Sequence, residues 1–339
     1  MRNLLWGLWG IGCASAALGC ASAPKSGTPS PSASATRDAP ASTKVAEAAP
    51  AASRISEERL RAMLAEHTSR PAAVVVLAGD GSGIAAVGQG GIDAADARLR
   101  PGSTVKPLLA WQAAKAGALR PGHHVECRGE FPVADKTLTC FEKHGNLSLS
   151  DAIATSCNSY FYDVAQRWGL AGVHGGFVAT GLVDSDDASL SDESLRARQG
   201  PPATSLHAVW APVIGIGHGP LHVSPTRLAK AYAKMARELG DTPVEREILA
   251  GLRAAVQSPK GTAQAASVAN LDVVGKTGTA ESGDAPDAPQ SESLGWFVGY
   301  APARQPDVIV AVVVQGAGPG GKSAAPLASR VFRETMQHR

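Results

Sequence analysis

The chain has 339 residues, 44% of them hydrophobic, and a formal net charge of +2. This length allows one large domain or two small ones, and the apolar content supports a hydrophobic core. A charge so close to zero gives no reason to expect nucleic acid or an acidic partner. The nine histidines are scattered without the spacing of a metal motif, so we expect neither a metal nor a cofactor.

The start of the chain is predicted to be an export signal. Arg2 precedes an apolar run over residues 4–18, which is too short to span a bilayer comfortably and is typical of a signal peptide. The sequence ALGC that ends at Cys20 resembles a bacterial lipobox, in which the cysteine is lipidated and becomes the mature N-terminus. Ordinary secretion, with cleavage near residues 21–23, is the alternative. Both interpretations predict an exported protein.

The next segment is predicted to be a linker. Residues 20–54 are rich in Ala, Pro, Ser and Thr, with almost no bulky apolar residues. Such a composition cannot bury enough apolar surface to fold, which predicts a disordered tether. The chain is thus divided into a lipoprotein signal peptide (1–19), a lipidated linker (20–54) and a folded domain (55–339).

The folded part begins with a helix and a hairpin. Ser56 can cap the helix, whose apolar residues Leu60 and Leu64 share one face. Two apolar runs joined by GDGSG at 79–83 then predict a β-hairpin. Because both runs are nearly continuous, we expect a sheet covered on both of its faces.

The middle of the chain is predicted to be helical and its end to return to strands. Helical periodicity covers 149–155 and 159–168, and Ser224 can cap a further helix. Three strand-like runs, LDVVGKTGTA, LGWFVGYAP and DVIVAVVVQG, precede a final helix over 323–337. The order predicts an α+β fold: a five-stranded antiparallel sheet with strands from both chain ends, and a separate all-helical lobe.

Three cysteines fall in the predicted domain. Cys127 and Cys140 are separated by a short segment and could form a disulfide in an oxidising compartment. Two free thiols are the alternative, and a zinc site that includes His144 is a weaker third option. Three cysteines cannot all pair, and we predict that Cys157 is the free one.

The sequence PGSTVKP places Ser103 three residues before Lys106. Positions i and i+3 are neighbours on a helix, so Oγ and Nζ can meet on one face. Pro107 is tolerated only if the helix begins near Ser103. A serine one turn from an amine is a nucleophile-and-base arrangement, although a surface Ser and Lys in a first helical turn would look the same.

A second polar motif, Ser156-Cys157-Asn158, interrupts the helical pattern. Residues two apart on a continuous helix point away from each other. If Ser156 and Asn158 serve one site, they must lie in a turn between two helices. A polar kink or a helix cap is the alternative.

A third motif, Lys276-Thr277-Gly278-Thr279, ends a strand-like run. Alternation puts Thr277 and Thr279 on one side and Lys276 on the other. Gly278 leaves room for a ligand or a second backbone, and a strand edge can hold a peptide-like substrate by β-augmentation. A polar strand end without a function is the alternative.

The motifs S-x-x-K, S-x-N and K-T-G, in this order, resemble those of the serine penicillin-recognising enzymes. Longer stretches from residue 72 to the C-terminus are similar to the transpeptidase domain of class B penicillin-binding proteins. These stretches are PGSTVKP, HGNLSLSDAIATSCNSYFYDVA, IGIGHGPLHVSPTRLAKAYA, GKTGTA and WFVGYAP. The segment with Cys127, Cys140 and His144 is most similar to the PBP2-like branch.

This resemblance implies a mechanism with five catalytic side chains. Ser103 would attack the carbonyl of a D-Ala-D-Ala peptide bond and form an acyl-enzyme, with neutral Lys106 as its base. Burial and a second cation, Lys276, would lower the pKa of Lys106 from about 10.4, while Lys276 itself would stay charged. Ser156 would pass the proton to the departing D-Ala nitrogen, and Asn158 would hold Lys106 and the substrate amide.

The resemblance also implies a binding edge and an oxyanion hole. Thr277, Gly278 and Thr279 would bind the substrate and its terminal carboxylate. The main-chain N–H groups of Ser103 and Thr279 would stabilise the oxyanion. The expected ligands are peptidoglycan stem peptides and β-lactam antibiotics.

Other functions remain open on the same scaffold. A β-lactamase is one alternative, but the nearest approach to the class A motif E-x-x-L-N is ESLR at 193–196, which does not match, and class D enzymes have an apolar residue at the position of Asn158. A D,D-carboxypeptidase is another. A non-catalytic β-lactam sensor would need a transmembrane signalling region, which the sequence does not predict.

One feature departs from the class B pattern. Those proteins usually carry an N-terminal pedestal domain and a membrane helix, through which they engage a glycan polymerase. Here a lipid and a linker are predicted in their place. We therefore doubt a polymerase partner and expect an accessory cross-linking enzyme, anchored at the periplasmic face of the inner or the outer membrane.

Overall fold

The computed structural model describes residues 55–199, 206–281 and 293–336. The predictions of a signal peptide (1–19), a lipidated Cys20 and a linker (20–54) lie outside the described residues. Within the described ranges, none of the helices combines the length and the apolar character needed to cross a bilayer.

The elements follow the predicted order of early strands, a helical middle and late strands, with additional short strands between residues 125 and 147 and additional helices that were not individually predicted. The strands are β1 (Ala72–Ala78), β2 (Gly83–Gln89), β3 (Val125–Cys127), β4 (Glu130–Val133), β5 (Lys136–Thr139), β6 (Gly145–Leu147), β7 (Val274–Glu281), β8 (Ser293–Ala301) and β9 (Val308–Gln315). The helices are α1 (Glu57–His67), α2 (Lys106–Lys115), α3 (Leu149–Ala154), α4 (Asn158–Thr180), α5 (Asp192–Gln199), α6 (Leu206–Gly215), α7 (Pro225–Glu238), α8 (Pro243–Gln257), α9 (Gly320–Ser323) and α10 (Ala325–Met336).

The main sheet has five strands in the order β2-β1-β9-β8-β7, and every neighbouring pair is antiparallel. The first two strands of the domain therefore pair with the last three, which confirms the predicted sheet. In this sheet β7 is an edge strand whose strand neighbour is β8, so one backbone edge of β7 is left for other contacts.

The sheet is covered on both faces, as its continuous apolar strands predict. Along β9, Val310 and Val312 belong to the apolar cluster that includes α1 and α10. The intervening Ala311 and Val313 belong to the cluster shared with α2, α4 and α7. Because successive side chains of a strand point to opposite faces, a strand that is apolar at every position contributes to two cores at once.

The second lobe is mainly helical, as predicted, but it also contains two small sheets. Strands β3 and β6 pair in one, and β4 and β5 form a hairpin in the other. Both arise in the turn-rich stretch before α3, where runs of three or four extended residues alternate with turns. Such short runs carry too little period-two pattern to be predicted from sequence.

Candidate active site

The first site element is a 3-10 turn, Gly102–Val105, that leads directly into the buried helix α2. It carries Ser103, which is partly exposed, and it brings Pro107 to the start of α2, where proline is tolerated. Gly102 has φ +54°, and a Cβ there would lie 2.6 Å from the carbonyl oxygen of Thr279. Glycine at this position thus allows the nucleophile turn to lie against β7.

Four hydrogen bonds hold this turn in place, one of them within the turn and three with neighbouring segments. The N–H of Gly102 donates to the carbonyl of Gly217 (3.0 Å), and the hydroxyl of Thr104 donates to the carbonyl of Pro101 (2.8 Å). Tyr232 Oη, from α7, donates to the carbonyl of Thr104 (2.7 Å). The indole of Trp296, from β8, donates to the Arg100 carbonyl (2.9 Å). The turn that presents Ser103 is therefore fixed by both the sheet and the helices.

Lys106 is fully buried at the first position of α2. Its Nζ donates to the carbonyl oxygen of Ser156 (2.7 Å) and to Oδ1 of Asn158 (2.6 Å). Burial lowers the pKa of Lys106 to about 7, while the nearby sulfurs of Cys157 and Cys140 act in the opposite direction. An amine with this pKa is neutral in a large fraction of molecules near neutral pH, as a proton acceptor must be.

Ser156 lies in the turn that joins α3 to α4, so the turn between two helices that the S-x-N spacing requires is present. Its φ of +61° is in the left-handed region, which is uncommon for a residue other than glycine and often marks functional sites. Asn158 begins α4. Its amide also donates to the carbonyl of Thr139 (3.3 Å), so the same side chain contacts Lys106 and the end of β5.

The third element is the edge strand β7. Lys276 is fully buried, and its Nζ donates to the carbonyl of Thr277 (3.0 Å). The hydroxyl of Thr277 donates to that of Thr262 (2.7 Å). A Cβ on Gly278 would lie 2.6 Å from the carbonyl oxygen of Pro101, so this glycine permits the close approach of β7 to the nucleophile turn that the sequence suggests.

Both buried lysines have a pKa below the ordinary value of the side chain. Burial lowers the pKa of Lys276 well below its usual value, and the charge of Lys106 lowers it further. For Lys106 the dominant cause is burial. Burial disfavours the ammonium form of both side chains in the ligand-free site, and the expectation of a charged Lys276 beside a neutral Lys106 stays a prediction.

All three motifs open into one cleft of about 800 Å³. Six of the predicted site residues line it: Ser103, Ser156, Asn158, Thr277, Gly278 and Thr279. Lys106 and Lys276 are fully buried and form hydrogen bonds within the same motifs. The structure thus brings together every residue predicted for catalysis and substrate binding. Ser103 and Thr279, whose N–H groups are the proposed oxyanion donors, both line the cleft.

The cleft wall also includes residues that sequence reasoning missed. They are Phe141, His218, Thr262, Gln264 and Lys322. His218 lies within one of the motif stretches, IGIGHG, but its type alone did not indicate a role. Burial, with the charges of Lys106 and Arg100, lowers the pKa of His218 to about 4, so its imidazole is neutral at neutral pH.

Beside the cleft lies a thiol–imidazole cluster, which consists of Cys127, Cys140, His144 and Cys157. The three cysteines are free and buried, so the predicted Cys127–Cys140 disulfide is not formed in this structure. Instead the sulfurs of Cys127 and Cys140 lie 3.5 and 3.6 Å from Nδ1 of His144. Cys157, predicted to be unpaired, lies with its sulfur 4.0 Å from that of Cys140.

This cluster is the group within the described ranges that could hold a metal ion. Its four donor atoms all lie within 4.8 Å of one another, and three thiolates with one imidazole are a donor set typical of structural zinc. The expectation of no metal rested on histidine spacing, and zinc on Cys127, Cys140 and His144 was only the weaker third option. Neither included Cys157, which the α3–α4 turn brings to the other three ligands. Metal analysis, with thiol titration of the unfolded and unreduced protein, distinguishes zinc from free thiols and from a disulfide.

Comparison with known proteins identifies the family of the chain. The sequence model described as the penicillin binding protein transpeptidase domain matches residues 71–337. The chain belongs to this family. The match covers all three motifs and lies within the predicted domain at 55–339, and the predicted resemblance is confirmed.

Curated relatives of this transpeptidase domain are distant in sequence. The peptidoglycan D,D-transpeptidase MrdA of Haemophilus influenzae is 26% identical over 293 residues, which are 70% of this chain and 44% of that protein. The peptidoglycan D,D-transpeptidase PbpA of Mycolicibacterium smegmatis is 27% identical over 267 residues, 67% of this chain and 53% of the relative. The chain thus spans about half the length of these relatives.

Solved structures share the fold of this transpeptidase domain. Pseudomonas aeruginosa PBP2, in complex with WCK 5153, superposes with a TM-score of 0.68 at 24% identity, over 81% of this chain and 72% of that one. The transpeptidase domain of Burkholderia pseudomallei penicillin-binding protein 3 gives a TM-score of 0.69 at 23% identity, over 82% and 91%. The predicted α+β fold class is confirmed.

Proposed function

We propose that the chain is a serine D,D-transpeptidase, which is acylated on Ser103 by peptidoglycan stem peptides ending in D-Ala-D-Ala and by β-lactams. The observation that carries this proposal is the meeting of three motifs in one cleft, with a fully buried Lys106 bonded to Asn158 beneath it. The names of the curated relatives, peptidoglycan D,D-transpeptidases, support the same reaction.

Acylation begins with proton transfer from the nucleophile. Neutral Lys106 accepts the hydroxyl proton of Ser103 as Oγ attacks the carbonyl carbon before the terminal D-Ala. The developing oxyanion is stabilised by the N–H groups of Ser103 and Thr279, and losing one such donor costs about 2.7–4 kcal/mol in a serine protease. The Ser156 hydroxyl then donates its proton to the leaving nitrogen and takes the proton held by Lys106 in exchange, so that D-Ala departs as an amine and Lys106 is neutral again.

The substrate's carboxylate accounts for the second lysine. Because Lys276 is buried without an acidic partner among the hydrogen bonds at its Nζ, its ammonium is unfavourable in the free enzyme. An anionic group bound beside Thr277 and Thr279 raises the pKa of Lys276, since an opposite charge favours the charged form. Substrate binding therefore charges Lys276 and leaves Lys106 as the neutral base, which is the arrangement that the sequence predicts.

The acyl-enzyme is then resolved by an acceptor. Attack by the amine of a second stem peptide forms the cross-link and regenerates Ser103. Attack by water would instead make the chain a D,D-carboxypeptidase, or a β-lactamase when the acyl group comes from a penicillin. The lifetime of the penicilloyl-enzyme separates these outcomes: hours favour a transpeptidase and seconds favour a hydrolase.

Labelling of the nucleophile tests the proposal. We expect fluorescent penicillin to label the wild-type protein covalently and intact-mass analysis to place one adduct on the peptide with Ser103. The variant Ser103→Ala should not be labelled, while its melting temperature stays unchanged. Persistent labelling of a folded S103A protein, or an adduct on another residue, contradicts the assignment.

We also propose that the chain is exported, carries a lipid on Cys20 and is held near its substrate by the linker at 20–54. The ALGC sequence and the peptidoglycan named for the relatives support this location. Metabolic labelling with a fatty-acid analogue should mark the wild-type protein and not Cys20→Ser. No labelling of the wild-type protein would leave ordinary secretion as the interpretation, and equal labelling of both proteins would place the lipid on another residue. The absence of a polymerase partner stays a prediction.

A further inference from the structure

Phe141 is an unusual side chain of the cleft wall. The residue is 64% exposed, and it is the large hydrophobic residue that stands out as exposed among the described residues. It lines the cleft together with Ser156 and Asn158, and the sulfur of its chain neighbour Cys140 accepts from the N–H of Asn158. Exposed apolar side chains are common singly, but an aromatic ring at the mouth of a reactive site presents apolar surface where a ligand enters.

The backbone around Phe141 is fixed although its ring is exposed. On one side, the N–H of Cys140 donates to the carbonyl of Gly129 (2.9 Å), and the N–H of Asn158 donates to the sulfur of Cys140 (3.2 Å). On the other side, the carbonyl of Glu142 accepts from the thiol of Cys127 (3.4 Å). The segment is therefore held in place without a ligand.

The ring itself has a defined neighbour. It lies edge-on to the imidazole of His144, with 5.1 Å between ring centroids and 82° between planes, a favoured arrangement of aromatic pairs. A side chain presented in this way loses little conformational freedom when a ligand packs against it. Phe141 is thus preorganised for contact rather than placed on a loose loop.

The remaining walls define what Phe141 can contact. The edge strand β7 offers backbone groups to a peptide main chain on one side of the cleft, and the residues lining the cleft elsewhere include the apolar Ala265 and Pro319. In a bound extended chain, alternate side chains point away from the strand edge on opposite faces. A ligand whose main chain follows β7 therefore has side-chain positions available to face the apolar wall.

We propose that Phe141 determines specificity for the acyl donor, by packing against an apolar side chain that the donor carries on the acyl side of the scissile bond. This proposal rests on the proposed function, because it assumes that Ser103 is acylated. Its ligand class is an acylamino group with an aliphatic or aromatic substituent. Both a stem peptide and a penicillin side chain have this chemistry, and the two are tested separately.

Two penicillins that share a nucleus measure the contact. Benzylpenicillin has an aromatic acylamino side chain, whereas 6-aminopenicillanic acid has none. For Phe141→Ala, we expect the acylation rate constant to fall about tenfold for benzylpenicillin, which is the effect expected from losing most of one buried aromatic contact. With 6-aminopenicillanic acid it should change by less than about twofold. Phe141→Trp, which keeps an aromatic wall, should retain discrimination between the two compounds.

Phe131→Ala is the matched control, because Phe131 lies in the same part of the chain, packs against Tyr162 (5.6 Å between ring centroids) and does not line the cleft. Its ratio of the two rate constants should equal that of the wild type. An equal loss for both penicillins in F141A overturns the proposal, since the ring would then only support the site. If no compound acylates the wild-type protein, the proposed function fails instead.

A stem peptide with an apolar third residue, compared with its glycine analogue, tests the other source of the same chemistry. The ratio of kcat/KM for these two peptides should fall about tenfold in F141A. A ratio that does not change in F141A with the peptides, but does with the penicillins, would limit the role of Phe141 to antibiotics and overturn its assignment to the natural donor.

Discussion

The two faces of the main sheet bury residues of different chemistry. Beneath α1 and α10 the cluster is apolar, and the buried polar residues of α10, Ser329 and Thr335, are uncharged and donate to carbonyl oxygens. The other face, beneath α2 and α7, includes two fully buried lysines, Lys106 and Lys276. Burying an ammonium group opposes folding. The second face therefore lowers the free energy of unfolding in a way that the first face does not.

The two faces therefore have different roles. The side chains buried under α10 contribute only to stability, because none of them needs to be charged or exposed. The face under α2 holds Lys106, which can act as a base only because burial disfavours its charged form. We therefore expect substitutions on the two faces to affect stability and acylation in opposite ways.

The largest effect should follow from Lys106→Met. Without its base, Ser103 should be acylated at least about 10²–10⁴ times more slowly. The free energy of unfolding at neutral pH should be maintained or raised, because the folded state no longer desolvates an amine. Penicillin labelling kinetics and urea unfolding of the same preparation measure both quantities. A K106M protein that is labelled normally, or one that is markedly less stable, contradicts the role assigned to this lysine.

The opposite result is expected from Phe332→Ala on the other face. Phe332 is fully buried in α10 and lies edge-on to Phe297, with 6.3 Å between centroids. Removing a buried Phe ring typically costs about 3–5 kcal/mol, which should appear as a lower urea midpoint. The acylation rate of the folded fraction should be unchanged. If acylation falls as much as stability, the two faces are not independent.

These predictions also show how far the sequence alone could go. The strands β1 and β9 and the helix capped by Ser224 follow from local pattern, because their apolar periodicity and cap residues lie within a few positions of one another. The three motifs could be placed in one site only through their resemblance to a family. No local rule brings residues 103, 156 and 276 together.

What the sequence missed depends on contacts between distant segments. Phe141 becomes part of the cleft because β5 ends beside Asn158. Cys157, which was predicted to be unpaired, joins the other three members of the thiol–imidazole cluster because the α3–α4 turn brings its sulfur to 4.0 Å from that of Cys140. The left-handed φ of Ser156 is likewise imposed by its surroundings, since a serine does not favour it. Spacing along the chain carries no information about any of these.

The pH dependence of acylation sharpens the comparison of the two faces. Because the reactive form of Lys106 is neutral and its pKa is about 7, the second-order acylation rate constant should rise with pH. At pH 5 it should be about 100-fold below its plateau, and it should level off above the pKa. His218, with its pKa lowered to about 4, should contribute no step between pH 5 and 8.

Acylation rates with a neutral ester substrate and with benzylpenicillin, measured from pH 5 to 9, test this profile. Circular dichroism at each pH establishes that the protein stays folded, and the same rise should appear in both substrates. A rate constant that is flat through this range means that Lys106 does not act as the base in the free enzyme.

The smallest effect should come from the rim of the sheet, where Arg253 of α8 pairs with Asp272 just before β7. The guanidinium donates to both carboxylate oxygens (2.9 and 2.7 Å). The side chains are 35% and 40% exposed, so solvent screens the pair and Asp272→Asn should cost less than about 1 kcal/mol. The hydrogen bonds from Arg253 lower the pKa of Asp272. The stability that the Asp272 carboxylate contributes should therefore be fully present above the unfolded pKa of about 3.9 and be lost as pH falls through the folded pKa.

Urea unfolding of the wild-type and D272N proteins at pH 7 and in acid, at low and high salt, measures this difference in the free energy of unfolding. A cost above about 2 kcal/mol, or a change in the acylation rate, would mean that the Arg253–Asp272 pair is coupled to the face with the buried lysines.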